Sequence, residues 1–178
     1  NMPSGTAIKP GDIITQLNGK TVEVNNTDAE GRLILADALA YAVEGGAERL
    51  VDLATLTGAV LIALGSTYAA LVSNDDEFAA EVAEAAERTG ELAWRLPLHP
   101  EYKELTKGTV ADLTNASEKR KAGTIYAASF LEEFVDERPS VHLDIAGTAW
   151  DVGREYAAKG PTGYGVRLLV ELVRSSSA

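Results

Sequence analysis

The sequence predicts an α/β fold, in which a β-sheet carries helices packed on its faces. Short apolar segments typical of strands alternate along the chain with longer segments of helical spacing. An Asn-Gly pair at residues 18–19 indicates a tight hairpin near the start. The 178 residues, 46% of them hydrophobic, can form the core of one domain, and no repeat or flexible linker divides them. We therefore predict a single domain over residues 1–178.

Each element follows from the period of its apolar residues and from the residues that bound it. The predicted strands are residues 12–17, 21–24, 49–53, 68–72 and 141–145. The predicted helices are residues 33–43, ended by Gly45-Gly46, a helix capped by Asn74 or Asp75 and ended by Gly90, residues 122–135, and a last helix from 165 to 173. The apolar faces expected on the first two helices are Leu35, Ala38, Leu39 and Ala42, and Phe78, Val82 and Ala86. Residues 94–115 are expected to be irregular.

The charge and residue content of the chain exclude several classes of function. A net charge of −11 without a basic stripe argues against a nucleic-acid partner. The absence of cysteine excludes disulfides and thiolate chemistry. No apolar run reaches the roughly 20 residues needed to span a bilayer. We therefore expect a cytoplasmic protein with neither membrane nor nucleic acid among its partners.

Residues 26–33 (NTDAEGRL) carry the densest group of chemically active side chains. Asp28 and Glu30 place two carboxylates two positions apart in a turn, and Arg32 follows at the start of an apolar helix. Such carboxylates can converge on a hard or borderline divalent cation. The arginine can hold an anion or a developing oxyanion. The segment therefore indicates a metal or anion site.

A helix cap explains part of the same segment. Thr27 followed by Glu30 fits a capping box, in which Asp28 would complement the helix dipole. Gly31 and Arg32 argue against the cap, because glycine is a poor helix former and a cation is unfavourable at the positive end of a helix unless an anion binds there. On residue chemistry alone, both interpretations stay open.

NTDAEGRL resembles the defining motif of the leucyl aminopeptidase family, the cytosolic aminopeptidases with two metal ions. Further segments resemble the family's catalytic domain and follow the same order as in that domain. These segments are residues 1–24, DLATLTGA (52–59), ADLTN (111–115), AGTIYAASFLEEFV (122–135) and HLDIAGTAW (142–150). The resemblance implies a mixed β-sheet sandwiched by helices. It also implies that the chain is the C-terminal part of the catalytic domain.

The resemblance implies a role for each charged residue of the motif. Asp28 would bind metal through its carboxylate and its main-chain carbonyl, and Glu30 would bridge two divalent ions, zinc or manganese with magnesium possible. Arg32 matches the arginine thought to hold a bicarbonate that accepts a proton from the attacking water. The reaction would be two-metal hydrolysis that releases N-terminal residues, leucine preferred, from peptide substrates.

The resemblance also implies a peptide site, with the Leu56 carbonyl contacting the peptide or the metal-bound water. An alternative role for Gly58 is that of the small residue in a tight turn. For Ala146 and Ala149 the alternative is packing in the core, where alanine is equally ordinary. His142 and Asp144 are expected to be structural, since no nucleophile elbow or zinc motif accompanies them. The substrate-binding residues implied are Asn26, Thr55, Leu56, Gly58, Ala146 and Ala149.

The family's other metal ligands, a lysine and two aspartates, and its catalytic lysine would lie before the segment that resembles residue 1. We therefore expect this chain alone to be inactive and the activity to belong to a longer parent. Because members of the family form hexamers, the resemblance also implies that the parent is a homo-oligomer. The alternative function is a peptide-binding module, because residues 5–24 resemble the hairpin of a PDZ domain. That alternative leaves NTDAEGRL and the last hundred residues unexplained.

Overall fold

The computed structural model describes residues 3–117, 119, 121–153, 155 and 159–176. Its strands are β1 (Ile13–Thr15), β2 (Thr21–Glu23), β3 (Leu50–Ala54), β4 (Ala69–Ser73), β5 (Ala93–Arg95), β6 (Leu113–Thr114) and β7 (Ser140–Asp144). Its helices are α1 (Gly31–Glu44), α2 (Gly58–Leu64), α3 (Asp76–Thr89), α4 (Pro100–Glu104), α5 (Gly123–Glu132) and α6 (Val166–Ser176). The alternation of strands and helices confirms the predicted α/β class.

The chain forms two compact units. Unit 1 comprises Asn1–Leu50 and Leu98–Arg138, and unit 2 comprises Val51–Pro97 and Pro139–Ala178. The sheet of unit 1 has the strand order β1-β2-β6, and the second sheet has the order β3-β7-β4-β5. Both sheets are mixed, since β2 is antiparallel to β1 and parallel to β6, while β4 is parallel to β5 and antiparallel to β7. The assignment of one domain to residues 1–178 stays a prediction.

The predicted hairpin of unit 1 is confirmed, although its turn uses only one residue with positive φ. Strands β1 and β2 pair with Ile14 opposite Val22. The Gly19 amide donates to the Gln16 carbonyl at 2.9 Å, and Gly19 has a φ of +86°. Asn18 does not share that conformation, so the connection is a three-residue loop with glycine in the left-handed position.

Helix α1 buries a different face from the predicted one. Its apolar residues with little exposure are Leu33, Ala36, Leu39 and Ala40. Of the predicted face only Leu39 is among them, and Ala38 is exposed. The prediction was wrong because apolar residues surround nearly the whole helix, so their spacing cannot select one face. The predicted end is confirmed, since Gly46 has a φ of +86° and Ala47 donates to the Ala42 carbonyl at 3.0 Å.

In unit 2, α3 and α6 pack on the four-stranded sheet. The core joins Leu71 of β4 and Leu143 of β7 to Phe78 and Val82 of α3, and to Leu168 and Leu172 of α6. The predicted face of Phe78, Val82 and Ala86 is confirmed as buried. So is the cap, because the Asp75 carboxylate accepts the Phe78 amide at 2.7 Å.

Helix α6 takes its cap from a residue far away in sequence. The Glu91 carboxylate, which is buried, accepts the amides of Gly165 at 3.0 Å and Leu168 at 2.9 Å. A carboxylate on the first amides of a helix satisfies donors that have no partner within the helix and complements its dipole.

Within the residues described, no helix has both the length and the apolar character needed to cross a membrane.

Candidate functional site

In unit 1, residues 26–32 form a short 3-10 turn that leads directly into α1. The turn covers Thr27–Ala29, and the Asn26 side chain accepts the Asp28 amide at 3.0 Å. The Asn26 carbonyl accepts the Ala29 amide at 3.2 Å. Asn26 is thus the cap of this turn, and Glu30 begins α1 without a side-chain cap bond. In the described part of the chain, no bond from the Glu30 side chain to the Thr27 amide, which a capping box requires, is found.

The carboxylates of Asp28 and Glu30 are available to a ligand. Asp28 is exposed and Glu30 is half-buried. Among the residues that the structure describes, neither carboxylate has a hydrogen bond or an ion pair, although Arg32 lies only two positions beyond Glu30. Two carboxylates left in this state supply hard oxygen donors of the type that divalent cations prefer.

The Arg32 side chain turns into unit 1 and is only 8% exposed. Its Nη1 donates to the Asn115 carbonyl at 2.8 Å. Its guanidinium carbon lies 5.5 Å from the centre of the Tyr126 ring, within the range of a cation–π contact. Arg32 therefore brings a buried positive charge to the first turn of α1, where the helix dipole is also positive.

Asn115, which directly follows β6, holds the turn in place and is fully buried. Its Oδ1 accepts the amides of Asn25 at 2.8 Å and Asn26 at 3.2 Å. Its Nδ2 donates to the carbonyls of Asn26 at 2.7 Å and Ala29 at 3.4 Å. Its own amide donates to the Glu23 carbonyl of β2 at 3.0 Å. Apart from its place in the ADLTN match, Asn115 was not predictable as a site residue, because an asparagine in an irregular segment carries no signal of burial.

Tyr126 of α5 supports the same group of residues. It is 2% exposed, and its hydroxyl donates to the Thr114 carbonyl at 2.6 Å. Burial raises the pKa of the Tyr126 phenol to about 12, although the Arg32 charge and the Thr114 contact act in the opposite direction. Tyr126 therefore stays neutral and keeps donating to the segment that contains Asn115.

In unit 2, the buried carboxylate of Asp144 joins two of the predicted substrate segments. It accepts the amide of Leu56 at 3.1 Å and the amide of Ala146 at 3.3 Å. The Thr57 hydroxyl donates to its other oxygen at 2.5 Å. Asp144 thus fixes the connection between β3 and α2 against the end of β7. The expected structural role of Asp144 agrees with these contacts, and His142 likewise lies buried, with Nδ1 at 2.6 Å from Asp52 Oδ1.

Gly58 is not required sterically by its surroundings. It is the exposed first residue of α2, and no described atom would lie within 4 Å of a Cβ added there. Thr55, three residues earlier, is also exposed. The alternative that Gly58 serves a tight turn therefore receives no support from the space around it.

The segment of Ala146 and Ala149 turns tightly against α2's end. A Cβ added at Gly147 would lie 2.0 Å from the Gly65 carbonyl oxygen, so the two backbones touch there. Ala149 donates to the Ile145 carbonyl at 3.0 Å. Both alanines are half-buried, which fits either a pocket wall or ordinary packing. Their role as substrate contacts stays a prediction.

The predicted site residues fall into two groups, each of which the structure brings together within its own unit. Carboxylates suit a divalent ion in donor type, so Asp28 and Glu30 can form part of a metal site. Across residues 3–117, 119, 121–153, 155 and 159–176, however, no group of three or more His, Cys, Asp or Glu side chains converges as a metal site would require. Unit 1 contains Asn26, Asp28, Glu30 and Arg32, and unit 2 contains Thr55, Leu56, Gly58, Ala146 and Ala149.

Comparison with known proteins gives consistent matches along the chain. A family model described as the cytosol aminopeptidase family, catalytic domain, matches residues 1–170. The probable cytosol aminopeptidase of Alkaliphilus oremlandii is 60% identical over 176 residues, which is 98% of this chain and 35% of that relative. The relative of the same name from Solibacter usitatus is 57% identical over 97% of this chain and 36% of its own length. This chain thus spans about a third of the length of the curated relatives it matches.

The raised pKa of Tyr126 predicts a loss of stability at high pH. Well below pH 10 the Tyr126 phenol is neutral in both the folded and the unfolded protein. As the pH rises, the phenol of the unfolded chain ionises first, because a free tyrosine has a pKa of about 10. The free energy of unfolding should therefore fall as pH rises from about 10 to the folded pKa of about 12. Denaturant unfolding followed by circular dichroism between pH 8 and 12 measures this loss.

Tyr126→Phe supplies the comparison and Tyr41→Phe the control, since Tyr41 is exposed on α1. The difference in unfolding free energy between the unchanged chain and Tyr126→Phe should be constant below pH 9. It should then shrink by about 2–3 kcal/mol up to pH 12, the equivalent of about two pKa units. Parallel curves for all three proteins would show that Tyr126 titrates as an exposed phenol.

Proposed function

The chain belongs to the cytosol aminopeptidase family, and from that premise we propose that its residues form part of a metal-dependent leucyl aminopeptidase. The enzyme would release N-terminal residues, leucine preferred, from peptides. The observation that carries the proposal is the pair of ligand-ready carboxylates, Asp28 and Glu30, beside the buried cation of Arg32. A cation site and an anion site then lie within one turn of chain.

Asp28 and Glu30 would hold two divalent ions, zinc or manganese with magnesium as a substitute. When bound, such a metal pair supplies Lewis-acid chemistry for peptide hydrolysis. This chain would contribute oxygen donors from a turn whose backbone is already fixed by Asn26 and Asn115. A fixed backbone spends less of the binding free energy on ordering the ligands.

Arg32 would hold a bicarbonate that takes a proton during the reaction. Its guanidinium is oriented by the Asn115 carbonyl and by the Tyr126 ring. The first amides of α1 point toward the same end of the helix, where anions bind readily. A preorganised positive charge of this kind stabilises an anion without rearrangement at the moment of reaction.

The peptide itself would contact the residues that Asp144 organises. Leu56 and Ala146 both donate their amides to this carboxylate, which leaves the Leu56 carbonyl on a fixed backbone. Gly58 would allow close approach of the peptide, and Thr55 and Ala149 of the same unit would contact it. The resemblance gives Asn26 of unit 1 a substrate-binding role as well. We also place the enzyme in the cytoplasm as a homo-oligomer, a hexamer by the resemblance. The family match includes the PDZ-like hairpin, so a separate peptide-binding module explains fewer residues.

We further propose that this chain alone does not catalyse the reaction. Two carboxylates with no third ligand converging on them among the described residues bind a divalent ion weakly, because affinity depends on a complete and oriented donor set. The purified chain should therefore show no hydrolysis of leucine p-nitroanilide above background, with or without added zinc or manganese. The control is a chimera in which these residues replace the matching segment of the Alkaliphilus oremlandii relative, which should be active and inhibited by chelator. Chelator-sensitive hydrolysis by the chain alone would contradict the proposal.

Arg32 is tested in the same chimera. Arg32→Ala should lower kcat by about 10²-fold or more, the scale of losing one electrostatic stabiliser. Arg32→Lys keeps the charge without the planar fork and should retain part of the activity. The control is Arg88→Ala, which removes an exposed arginine whose ion-pair partners among the described residues are Glu84 and Glu171. If kcat stays within about twofold in a folded Arg32→Ala protein, Arg32 is structural rather than catalytic.

A further inference from the structure

Asn115 is fully buried, and it bonds both to the backbone of the turn that carries Asp28 and to Arg32. Its carboxamide makes four hydrogen bonds to the segment of residues 25–29, and its main-chain carbonyl accepts from Arg32. The carboxylate-bearing turn and the guanidinium are therefore attached to one residue. This inference rests on the proposed function and concerns how its site is held in shape.

The contacts require the chemistry of a carboxamide. Oδ1 faces two amides and can only accept from them, while Nδ2 faces the carbonyls of Asn26 and Ala29 and can only donate to them. An aspartate at Asn115 would keep the acceptor and oppose the two carbonyls with negative charge. An alanine would leave all four backbone groups without this partner, and buried groups of that kind are costly.

Asn115 is itself held by rigid elements of unit 1. Its amide donates to the Glu23 carbonyl of β2, and the residue before it ends β6, which is parallel to β2. The hydroxyl of Tyr126 donates to the Thr114 carbonyl, one residue earlier, and its ring lies under the Arg32 guanidinium. The position of the turn is thus tied to the sheet and to α5.

We propose that Asn115 is a positioning residue that sets the metal-binding turn and Arg32 in one common geometry. Both are hydrogen-bonded to the same residue. Disturbing that residue therefore moves the carboxylates that would bind the cation together with the guanidinium that would bind the anion. Binding of the divalent ion and binding of bicarbonate should therefore weaken in parallel when Asn115 is replaced. A residue that only stabilised the fold would lower stability and leave both affinities unchanged.

The experiment uses the active chimera and three variants, Asn115→Ala, Asn115→Asp and Asn115→Ser. The matched control is Asn18→Ala, since Asn18 also joins distant segments of unit 1, with Nδ2 donating to the Glu133 carbonyl at 3.2 Å and Oδ1 accepting the Lys20 amide at 3.1 Å. Mn²⁺ affinity of the metal-free proteins is measured by calorimetry. The bicarbonate concentration that gives half-maximal activation and the denaturant midpoint are measured alongside.

Asn115→Ala and Asn115→Asp should raise the Kd for Mn²⁺ by about 10-fold or more, the usual effect of losing a residue that orients metal ligands. The bicarbonate requirement should rise in the same variants. Asn115→Ser replaces the carboxamide by one hydroxyl, so its Mn²⁺ affinity and bicarbonate requirement should lie between those of these variants and the parent. Asn18→Ala should lose stability without either change. If Asn115→Ala or Asn115→Ser folds and both affinities stay within about twofold of the parent, the positioning role is wrong.

The result also separates this inference from the proposed function. A parent chimera that binds Mn²⁺ and hydrolyses leucine p-nitroanilide supports the function whatever the Asn115 variants do. A parent chimera that binds no Mn²⁺ overturns the function and this inference with it. If only bicarbonate activation changes in the variants, Asn115 positions Arg32 alone and the common geometry proposed here is contradicted.

Discussion

The hydrogen bonds of the Asn115 carboxamide are the constraint on which the motif of residues 26–32 depends. The turn from Asn25 to Ala29 satisfies only part of its own backbone groups, and an amide or carbonyl shielded from water without a partner costs about 1–3 kcal/mol. Asn115 supplies two acceptor contacts and two donor contacts at that point. The turn therefore takes its shape from a residue about ninety positions further along the chain rather than from its own sequence.

The same arrangement explains why the charges of the motif do not neutralise one another. Arg32 could pair with Asp28 or Glu30, which would leave neither a cation site nor an anion site. Its guanidinium contacts the Asn115 carbonyl and the Tyr126 ring, and the raised pKa of Tyr126 keeps that ring uncharged. The two carboxylates remain for a ligand.

Local features were predictable from the sequence, whereas long-range contacts were not. The hairpin at Asn18-Gly19, the cap at Asp75 and the motif itself each depend on neighbouring residues and were found. The buried face of α1 was not, because an almost uniformly apolar helix gives no direction. The roles of Asn115 and Asp144 depend on contacts with Arg32, Asn25 and Leu56, which lie 83 to 90 residues away, and no spacing rule reports such pairs.

The contacts of Asn115 imply that the turn is formed before any ligand binds, and amide hydrogen exchange measures this. In the metal-free chain, the amides of Asn25 and Asn26 donate to a buried oxygen of Asn115, although both side chains are exposed. Nuclear magnetic resonance should therefore find them exchanging slowly, like the paired amides of β2. Exchange as fast as that of an open loop amide, slowed only after a divalent ion is added, would show that the ligand forms the turn and would contradict the account.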